Sequence, residues 1–394
     1  MKKCLFVGDY YGERCESTIR SLSTSQSPFS SLRFNRKIVE GLQQNDISTI
    51  VLSAPYIDSW PGCKNVYFKS KKESDNTHIV GYFNVPPFKN LSRYRNLKKE
   101  LNYILDDDNF DFVFISEAHL PFIKLIDPIK KRNANCKIVL CVMDLPELMY
   151  LGDEKRRIYS FFKRIETRKI IRLCKKIDIF YLLSPYMAES KIVDTDKKLF
   201  VRETIINDND KPAIDLRKKR EKPTIVYSGT LSKRFGIESL LSAFVSRKVD
   251  YELLIAGCGE CQQEIIDLAD KDDDLKFFGL LTGERYKSFL RNADFFVNPR
   301  NDDDLFSRYS FPSKIGEYCE YNKPIISFDM NILNEDFRSA MYVARDGSTL
   351  GLAEVIDKAV SSSEEEYLSK CCNVKKLSLK YCKKKIIEDL VTLL

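Results

Sequence analysis

Residues 309–318, with the sequence YSFPSKIGEY, lie between two apolar runs, at residues 295–300 (FFVNPR) and residues 324–328 (PIISF). This order predicts a strand, a loop, a short helix and a second strand of a parallel sheet. Pro312 has the fixed backbone angle of a first helical residue, and the serines on either side of it can cap the helix. Because the free N–H groups of such a turn carry partial positive charge, the stretch predicts an anion-binding turn in an α/β protein.

Several side chains around this turn suit a negatively charged ligand that bears hydroxyl groups. Two cations flank the turn, and Glu317 falls about one helical turn inside, where its carboxylate can accept hydrogen bonds from hydroxyls. The alternative is an ordinary strand-loop-helix-strand unit, because proline and serine open helices in many proteins. The candidate binding residues of the turn are Arg300, Ser310, Phe311, Pro312, Ser313, Lys314 and Glu317.

The same alternation of short apolar runs and longer helical patterns covers most of the chain, which predicts parallel sheets with helical crossovers. We therefore expect an α/β protein with two consecutive doubly wound domains, whose ligands bind beyond the carboxyl ends of the strands. The predicted strands are residues 4–7, 49–53, 112–116, 137–142 and 179–183 in the first half, and 224–228, 251–256, 276–279, 295–298 and 324–328 in the second. The predicted helices that matter for the site are residues 236–244 and 312–320.

The chain length and one charged segment set the expected domain boundaries. At 394 residues the chain is long enough for two cores. Residues 207–223 (NDNDKPAIDLRKKREKP) are rich in charge and proline and interrupt the alternation. We expect an N-terminal domain at residues 1–206, a linker at 207–223, a C-terminal domain at 224–370, and a helical segment at 371–394 that returns to cover the first domain.

Two further loops of the second half follow predicted strands and should converge with the first turn on one crevice. The loop at residues 228–236 (SGTLSKRFG) contributes Gly229, Thr230, Lys233 and Arg234, where glycine lets the backbone approach a ligand and the cations attract an anion. The loop at residues 256–259 (AGCG) contributes Gly257, which can admit a nucleotide base. Each loop alone also fits a common strand-to-helix connection with surface cations.

Composition excludes several classes of protein. Apolar residues make up 43% of the chain, with only 15 Gly and 14 Pro, so a disordered or repetitive chain is excluded. The 12 cysteines are scattered without a secretion signal, which favours reduced cytosolic thiols. Cys258 and Cys261 form one C-x2-C pair, but no second pair follows and the chain has 2 histidines, so we expect no metal site. No run approaches the roughly 20 apolar residues that span a bilayer.

Positive charge is concentrated in the first half, where residues 1–205 hold 35 Lys and Arg against 25 Asp and Glu. Residues 155–176 (KRRIYSFFKRIETRKIIRLCKK) hold ten Lys and Arg and one Glu around an apolar stripe. A basic amphipathic helix of this kind suits an anionic membrane surface. A core-facing helix with a solvated basic face is an equally good interpretation. Nucleic acid is not expected as a partner, because no recognition motif accompanies the charge.

Taken together, the order of these loops resembles glycosyltransferase family 4, whose members have the GT-B fold of two facing Rossmann-like domains. The likeness spans most of residues 224–330. Its specific part is residues 311–318 (FPSKIGEY) followed by 322–326 (NKPII), and residues 227–231 (YSGTL) resemble the strand and loop that open the family's second domain. In the first half, SEAHLPF at 116–122, MDLP at 143–146 and LLS at 182–184 are similar to family members that build bacterial surface polysaccharides such as capsules.

This resemblance implies roles for residues in the second half. Glu317 would hold the ribose of a nucleotide-sugar donor, and the backbone of residues 310–313 would bind its diphosphate. Two departures from the family pattern stand out. A glutamate that often lies eight positions before the ribose glutamate is Tyr309 here, and the family's Arg and Lys of the first loop are replaced by Thr230 and Phe235. Lys233 or Arg234 would then have to reach the leaving diphosphate.

The resemblance also implies an activity, namely a retaining transfer of a sugar from a nucleotide-diphosphate sugar to a saccharide or lipid-linked saccharide acceptor in cell-surface polysaccharide synthesis. His119 and Asp144 follow predicted strands of the first domain and could orient the acceptor, although a structural histidine and a helix-capping aspartate are equally good interpretations. The expected enzyme needs no metal or other cofactor, since positioned cations and N–H groups stabilise the leaving diphosphate. It would be cytoplasmic, or peripheral on the inner face of the membrane.

Other functions remain open at this point. A GT-B nucleotide-sugar epimerase would use the same donor without an acceptor, and a non-catalytic nucleotide-sugar-binding or membrane-surface scaffold protein would bind without turnover. A nicotinamide dehydrogenase needs G-x-G-x-x-G after an opening strand. Neither residues 7–12 (VGDYYG) nor residues 257–262 (GCGECQ) have that spacing.

Overall fold

The computed structural model of the chain describes residues 1–12, 15, 16, 18, 21, 29–145, 157–207, 222–302 and 305–394. Within these ranges the chain forms two compact units. Unit 1 comprises Met1–Ile205 together with Lys383–Leu394, and unit 2 comprises Ile206–Cys382. The expected linker at 207–223 lies almost entirely outside the described residues, and so do residues 155 and 156 of the basic segment.

Unit 1 is built around an eight-stranded sheet in the order β3-β4-β2-β1-β5-β6-β7-β8, in which only β3 is antiparallel to its neighbour. Its central strands are buried along their length except for the lysines that begin β1 and β6, as expected of parallel strands covered on both faces. The strands are β1 (Lys3–Gly8), β2 (Ser48–Ser53), β3 (Lys71–Ser74), β4 (Thr77–Ile79), β5 (Phe112–Ile115), β6 (Lys137–Val142), β7 (Ile179–Leu182) and β8 (Lys198–Val201).

Unit 1 has six helices among the described residues. These are α1 (Phe29–Gln44), α2 (Phe88–Asp107), α3 (Leu120–Ile123), α4 (Ile126–Arg132), α5 (Arg157–Cys174) and, from the end of the chain, α14 (Lys383–Val391). Helix α5 carries the predicted basic segment. In the described part of the chain, every helix is too short or too polar to cross a bilayer.

Unit 2 contains a fully parallel six-stranded sheet in the order β11-β10-β9-β12-β13-β14. The order reverses at β9, where a doubly wound sheet opens a crevice at its carboxyl edge. The strands are β9 (Thr224–Thr230), β10 (Glu252–Cys258), β11 (Leu275–Phe277), β12 (Phe295–Asn298), β13 (Ile325–Phe328) and β14 (Met341–Ala344). The helices are α6 (Ile237–Val245), α7 (Gln262–Ala269), α8 (Gly283–Leu290), α9 (Leu305–Tyr309), α10 (Ser313–Tyr318), α11 (Glu335–Ala340), α12 (Thr349–Val360) and α13 (Glu364–Lys380).

Two local differences from the expected elements have physical causes. The helix expected at residues 312–320 begins at Ser313 and ends at Tyr318, and a 3-10 turn follows it up to Asn322, whose left-handed backbone conformation stops the helix. The segment expected at residues 371–394 is divided between the units. Helix α13 belongs to unit 2, whereas α14 packs on α1 in unit 1.

Candidate active site

The loops that follow β9 and β10 pack tightly against each other through glycine. A Cβ atom on Gly257 would lie 1.9 Å from the carbonyl oxygen of Gly229, so a larger residue cannot stand there. The N–H of Leu231 donates to the carbonyl of Cys258 at 2.9 Å, and the N–H of Cys261 donates back to Leu231 at 3.0 Å. The first two predicted loops therefore form one layer at the carboxyl edge of the sheet.

Gly236 joins this layer to the loop after β12. Its φ angle is 80°, and a Cβ there would lie 1.9 Å from the carbonyl oxygen of Pro299. Only glycine fits both the left-handed conformation and the close approach. The structure thus brings together the three loops that carry the predicted donor-binding residues.

A chain of hydrogen bonds links α10, α8 and β9 beside these loops. The Lys314 ammonium donates to the Tyr286 hydroxyl at 2.8 Å, and that hydroxyl shares a 2.9 Å hydrogen bond with Ser228 Oγ. Because lysine can only donate, the Tyr286 hydroxyl accepts from Lys314, and either hydroxyl of the Tyr286–Ser228 pair can be the donor. The Tyr318 hydroxyl accepts from the N–H of Ser228 at 3.0 Å. Burial raises the pKa of Tyr318, whose ring stacks on Phe296 at 4.3 Å.

Lys314 and Glu317 form an ion pair, with Nζ 2.7 Å from Oε2 and both side chains mostly buried. The two residues are three apart on α10, so they lie on the same face of the helix. The sequence placed both near a ligand but did not predict that they pair with each other. The sequence also gave no indication that Tyr286, Ser228 and Tyr318 belong to the site. A tyrosine in a helix and a serine in a strand have no characteristic spacing that would mark them.

The turn before α10 differs from the expectation in two respects. Pro312 is the N-cap residue and no side chain caps the helix, so the expected capping by Ser310 or Ser313 is wrong. A proline N-cap has no hydroxyl, and the following N–H groups are left to the backbone and to solvent or ligand. Phe311 is 7% exposed and packs on Phe337, with ring centroids 4.9 Å apart, which makes it a core residue that supports the turn.

Lys233 and Arg234 lie on an exposed 3-10 turn, Lys233–Phe235, directly after the first loop. The Lys233 ammonium is 2.6 Å from Glu238 Oε1, and this hydrogen bond raises the pKa of Lys233. Glu260 accepts from Ser232 Oγ at 2.9 Å and from the N–H of Lys233 at 3.1 Å, which lowers the pKa of Glu260. An exposed ion pair of this kind is worth little, so Lys233 stays available to an anion.

Arg300 behaves differently from these surface cations. It is 5% exposed, and its Nε and Nη2 atoms donate to Ser307 Oγ at 3.2 and 3.1 Å. Its guanidinium also lies 5.9 Å from the ring centroid of Phe235. A buried cation at the end of β12 contributes fixed positive potential to the loop layer.

In unit 1, His119 follows β5 and contacts a buried arginine. Arg93 Nη1 lies 3.2 Å from His119 Nε2, and the histidine ring packs edge-on against Tyr56 and Phe122, each at 5.3 Å between centroids. Since arginine has no acceptor, Nε2 must accept and the imidazole proton must sit on Nδ1. His119 is therefore arranged to donate a hydrogen bond through Nδ1.

Two carboxyl groups that the sequence did not single out lie near His119. Asp9, at the end of β1, is 2% exposed and accepts the N–H of Tyr56 at 3.0 Å. Burial raises the pKa of Asp9 to about 7 and that of Glu117 to about 8, although Arg93 partly offsets both. Asp144 is exposed just after the end of β6, and desolvation by the surrounding protein raises the pKa of its carboxyl group as well. Glu117 could have been found from its place two residues before His119.

No three His, Cys, Asp or Glu side chains of the described ranges are placed to hold a metal ion.

Comparison with known proteins bears on both units. Residues 208–371 match the family model described as "Glycosyl transferases group 1". No curated protein sequence matches the chain. Among solved structures, sucrose-phosphate synthase from Thermosynechococcus elongatus aligns with a TM-score of 0.63 at 12% identity, over 100% of this chain and 98% of that one.

Two further solved structures align at the same level. The trehalose-6-phosphate structure from E. coli, bound with UDP-2-fluoro glucose, has a TM-score of 0.64 at 11% identity, over 99% of this chain and 98% of that one. The lipopolysaccharide outer core galactosyltransferase WaaB, in its apo form, has a TM-score of 0.61 at 10% identity, over 100% and 99%. Likeness at such low identity establishes the fold.

The expected GT-B fold is confirmed by these alignments, and the expected glycosyltransferase class is confirmed by the family match. Family 4 and the surface-polysaccharide branch are narrower statements that stay predictions. Residues 208–371 match the model of group 1 glycosyl transferases, within a chain that has the GT-B fold.

Proposed function

We propose that this protein transfers a sugar from a nucleotide-diphosphate sugar to a saccharide or lipid-linked saccharide acceptor. The observation that carries the proposal is the loop layer of unit 2. Gly236 holds the loop after β9 against Pro299, and the ion pair of Lys314 and Glu317 is linked to β9 through Tyr286 and Ser228. Cations, N–H groups and a carboxylate within one layer match the parts of a nucleotide-sugar diphosphate. The group 1 family match supports the same donor class.

The donor would bind by displacing contacts that exist in the free protein. Glu317 would exchange part of its ion pair with Lys314 for hydrogen bonds from the ribose hydroxyls. The freed Lys314 ammonium would then face the diphosphate, together with the N–H groups of Ser310, Phe311 and Ser313. Gly229, Thr230 and Gly257 would let the backbone approach the donor. Two of the solved structures that share the fold, from Anabaena and E. coli, hold UDP-glucose and UDP-2-fluoro glucose, which makes a UDP-sugar the first donor to test.

Departure of the nucleotide diphosphate is the demanding step, because negative charge develops as the bond to the sugar breaks. Lys233 and Arg234 would lower that barrier by reaching the diphosphate from the exposed turn, and Arg300 would add fixed positive potential. Such groups need no metal ion, and we propose that none is required. We further propose that the anomeric configuration is retained.

His119 and Asp144 in unit 1 would orient the acceptor. The Nδ1 proton of His119 would donate to a sugar hydroxyl, since Arg93 occupies Nε2. Glu117 and Asp9 would accept hydrogen bonds from other hydroxyls or hold protons that move on binding, because their pKa values lie near neutrality.

The wider setting of the reaction is also part of the proposal. We place the protein in the cytoplasm, peripheral on the inner face of the membrane, in the synthesis of a surface polysaccharide such as a capsule. Six exposed Lys or Arg lie between residues 164 and 176, four of them on α5 and two directly after it, which suits an anionic membrane surface. The likeness to a lipopolysaccharide galactosyltransferase agrees with such a setting.

The test is nucleotide release from a panel of nucleotide sugars, with and without saccharide acceptors. Release that depends on an acceptor supports transfer. An altered sugar without any acceptor supports the epimerase, and binding without turnover supports the scaffold protein.

Lys233→Ala should slow turnover by about tenfold or more with little change in donor affinity, and Glu317→Ala should mainly weaken donor affinity. Lys287→Ala, on an exposed residue of α8, is the matched control for loss of a cation. Unchanged kinetics in both site variants would refute the proposed site.

A further inference from the structure

Large apolar side chains are exposed together on one part of unit 1. Among the described residues, thirteen large apolar side chains are strongly exposed, and six of them lie within a stretch of 32 residues between β2 and the first turns of α2. Soluble proteins scatter such residues singly, and a cluster marks an interaction surface. The six, which we call the aromatic patch, are Trp60, Val66, Tyr67, Phe83, Phe88 and Leu91.

The aromatic patch is held on a fixed framework. Asn84 is fully buried, and its side-chain amide donates to the carbonyls of Asp58 and Asn65 at 2.8 and 3.1 Å. The N–H of Trp60 donates to the Asn84 carbonyl at 2.9 Å, and the N–H of Asn84 donates to the Val66 carbonyl at 2.8 Å. One buried amide therefore ties together the segments that carry Trp60 and Val66.

Further contacts join the other patch residues to this framework. The rings of Tyr67 and Phe83 lie 5.1 Å apart, and the N–H of Phe83 donates to Ser92 Oγ on α2 at 3.0 Å. The Lys89 ammonium, next to Phe88, donates to Ser59 Oγ at 3.1 Å and to the carbonyl of Ile57. The apolar side chains are thus exposed although their backbone is well fixed, so their exposure is a feature of the fold.

Charge around the aromatic patch is positive. Residues 58–69 and 83–95 hold five Lys and Arg and a single acidic residue, Asp58. Lys64, Lys69 and Arg95 are exposed. Trp, Tyr and Phe with a basic rim form the combination that favours the boundary between headgroups and acyl chains of an anionic bilayer.

Part of the patch is connected to the basic helix through packed helices. Helix α3 contacts both α2, which carries Phe88 and Leu91, and α5. A surface that binds through charge alone attracts a bilayer but does not enter it. Aromatic side chains on the same unit as the basic helix supply the apolar area that such a contact needs.

We propose that the aromatic patch inserts into the interface of an anionic bilayer and docks unit 1 on the membrane. The inference deepens the proposed membrane contact by naming the surface that enters the lipid. Its failure is separable from failure of sugar transfer, because nucleotide release with soluble acceptors requires no lipid.

The chain contains 1 tryptophan, Trp60, so its fluorescence reports on the patch without any substitution. We expect the full chain to co-sediment with vesicles of phosphatidylcholine and phosphatidylglycerol, and Trp60 emission to shift to shorter wavelength. Lipids with brominated acyl chains should quench it. On pure phosphatidylcholine, binding should be weaker, because the basic rim then gains no attraction.

A double variant, Phe83→Ser with Phe88→Ser, keeps the reporter and removes two anchors. It should weaken binding to the anionic vesicles on the order of 10- to 100-fold. Tyr103→Ser on α2 and Leu379→Ser on α13 remove exposed apolar side chains outside the patch and should leave binding unchanged.

Several results would overturn the proposal. Absence of co-sedimentation, or co-sedimentation without a change in Trp60 emission, would mean that the patch does not enter lipid. If the double variant binds vesicles as tightly as the Tyr103→Ser control does, the patch likewise does not enter lipid. A shift of Trp60 emission with protein concentration in lipid-free solution, accompanied by dimers in light scattering, would assign the patch to a second copy of the chain.

Discussion

Gly236 is the residue on which the loop layer of unit 2 depends. Its backbone angle is left-handed, and the space where a side chain would begin is filled by the carbonyl of Pro299. These are two separate reasons for glycine. Gly257 and Gly259 combine a positive φ with a close backbone contact in the same way, whereas two other glycines do not. Gly279 has φ 61° with nothing within 4 Å of a Cβ, and Gly347 has open space and an ordinary backbone angle.

The three glycines permit a graded test. Gly236→Ala should lower the free energy of unfolding of unit 2 by about 2–4 kcal/mol, since it adds a clash to the strain of the left-handed conformation. Gly279→Ala should cost about 1 kcal/mol through strain alone, and Gly347→Ala should change stability by less than about 0.5 kcal/mol. Urea unfolding followed by far-UV circular dichroism measures the loss. Trp60 fluorescence, which reports on unit 1, should not move. Equal effects at Gly236 and Gly279 would show that the contact with Pro299 carries no energy.

A second test at this scale concerns the hydroxyl of Tyr286, which connects Lys314 to Ser228. Tyr286→Phe keeps the ring and removes that link, and we expect donor affinity to fall by about threefold to tenfold because Lys314 loses a fixed position. Tyr251→Phe is the matched control, since the Tyr251 hydroxyl is buried in unit 2 without a hydrogen-bond partner in the described part of the chain. Isothermal titration with UDP-glucose compares the variants. Equal affinities would separate Tyr286 from the donor site.

The carboxyl ends of β1, β5 and β6 bring acidic groups together at one edge of the unit 1 sheet. Close packing of these strand ends leaves little room for water: a Cβ on Gly8 would lie 2.0 Å from Ser116 Oγ. Burial therefore raises the pKa of Asp9 to about 7 and of Glu117 to about 8, with Arg93 as the nearest buried cation. Folded unit 1 holds protons that the unfolded chain releases at much lower pH.

This difference in protonation predicts how the stability of unit 1 depends on pH. Because the folded pKa values lie above the unfolded ones, the folded state binds more protons between about pH 4 and pH 8. The free energy of unfolding should then fall by several kcal/mol as pH rises through this window, since each folded pKa lies about 3 above its unfolded value and a difference of one corresponds to about 1.4 kcal/mol. Urea unfolding at pH 5, 7 and 9, followed by Trp60 fluorescence, measures the slope.

Neutral variants identify the groups responsible. Asp9→Asn and Glu117→Gln should each flatten the pH dependence, whereas Asp107→Asn, on an exposed residue of α2, should leave it as in the unmodified protein. A slope that persists in the combined Asp9 and Glu117 variant would assign the titration to other groups.

At the scale of elements, sequence patterns carry different amounts of information. Buried parallel strands read as apolar runs, so β1, β5, β6, β9, β10 and β12 follow directly from the sequence. The short edge strand β8 and the β3–β4 pair lack that signal, since their exposed positions are polar. The glycines of the loops after β9 and β10 indicate where two backbone segments approach each other closely. The contacts of Tyr286 and Arg93 arise from packing between distant segments, which no local pattern records.

At the scale of the whole molecule, the chain returns to its first unit at the end. Helix α14 packs on α1, where a Cβ on Gly41 would lie 2.7 Å from the carbonyl of Lys383, so the two helices meet at backbone distance. The Lys383 ammonium is 2.6 Å from Glu40 Oε2. The buried apolar side chains of α14 are Ile386, Ile387 and Leu390.

Removal of residues 383–394 should therefore destabilise unit 1 and spare unit 2. Three buried aliphatic side chains contribute about 5–9 kcal/mol at about 1.5–3 kcal/mol each, before the entropy of ordering the helix is subtracted, so a net loss of about 2–4 kcal/mol is expected. Hydrogen exchange resolved by peptide provides the measurement, because it reads each unit separately. Peptides from α1 and β2 should lose protection, and those from β9 and β12 should keep it.

A milder variant, Ile387→Ala, keeps the helix and should reproduce part of the loss of protection, whereas Lys384→Ala on the exposed face of the helix should not. Equal loss of protection in both units would mean that the last helix stabilises the whole chain and not unit 1 alone.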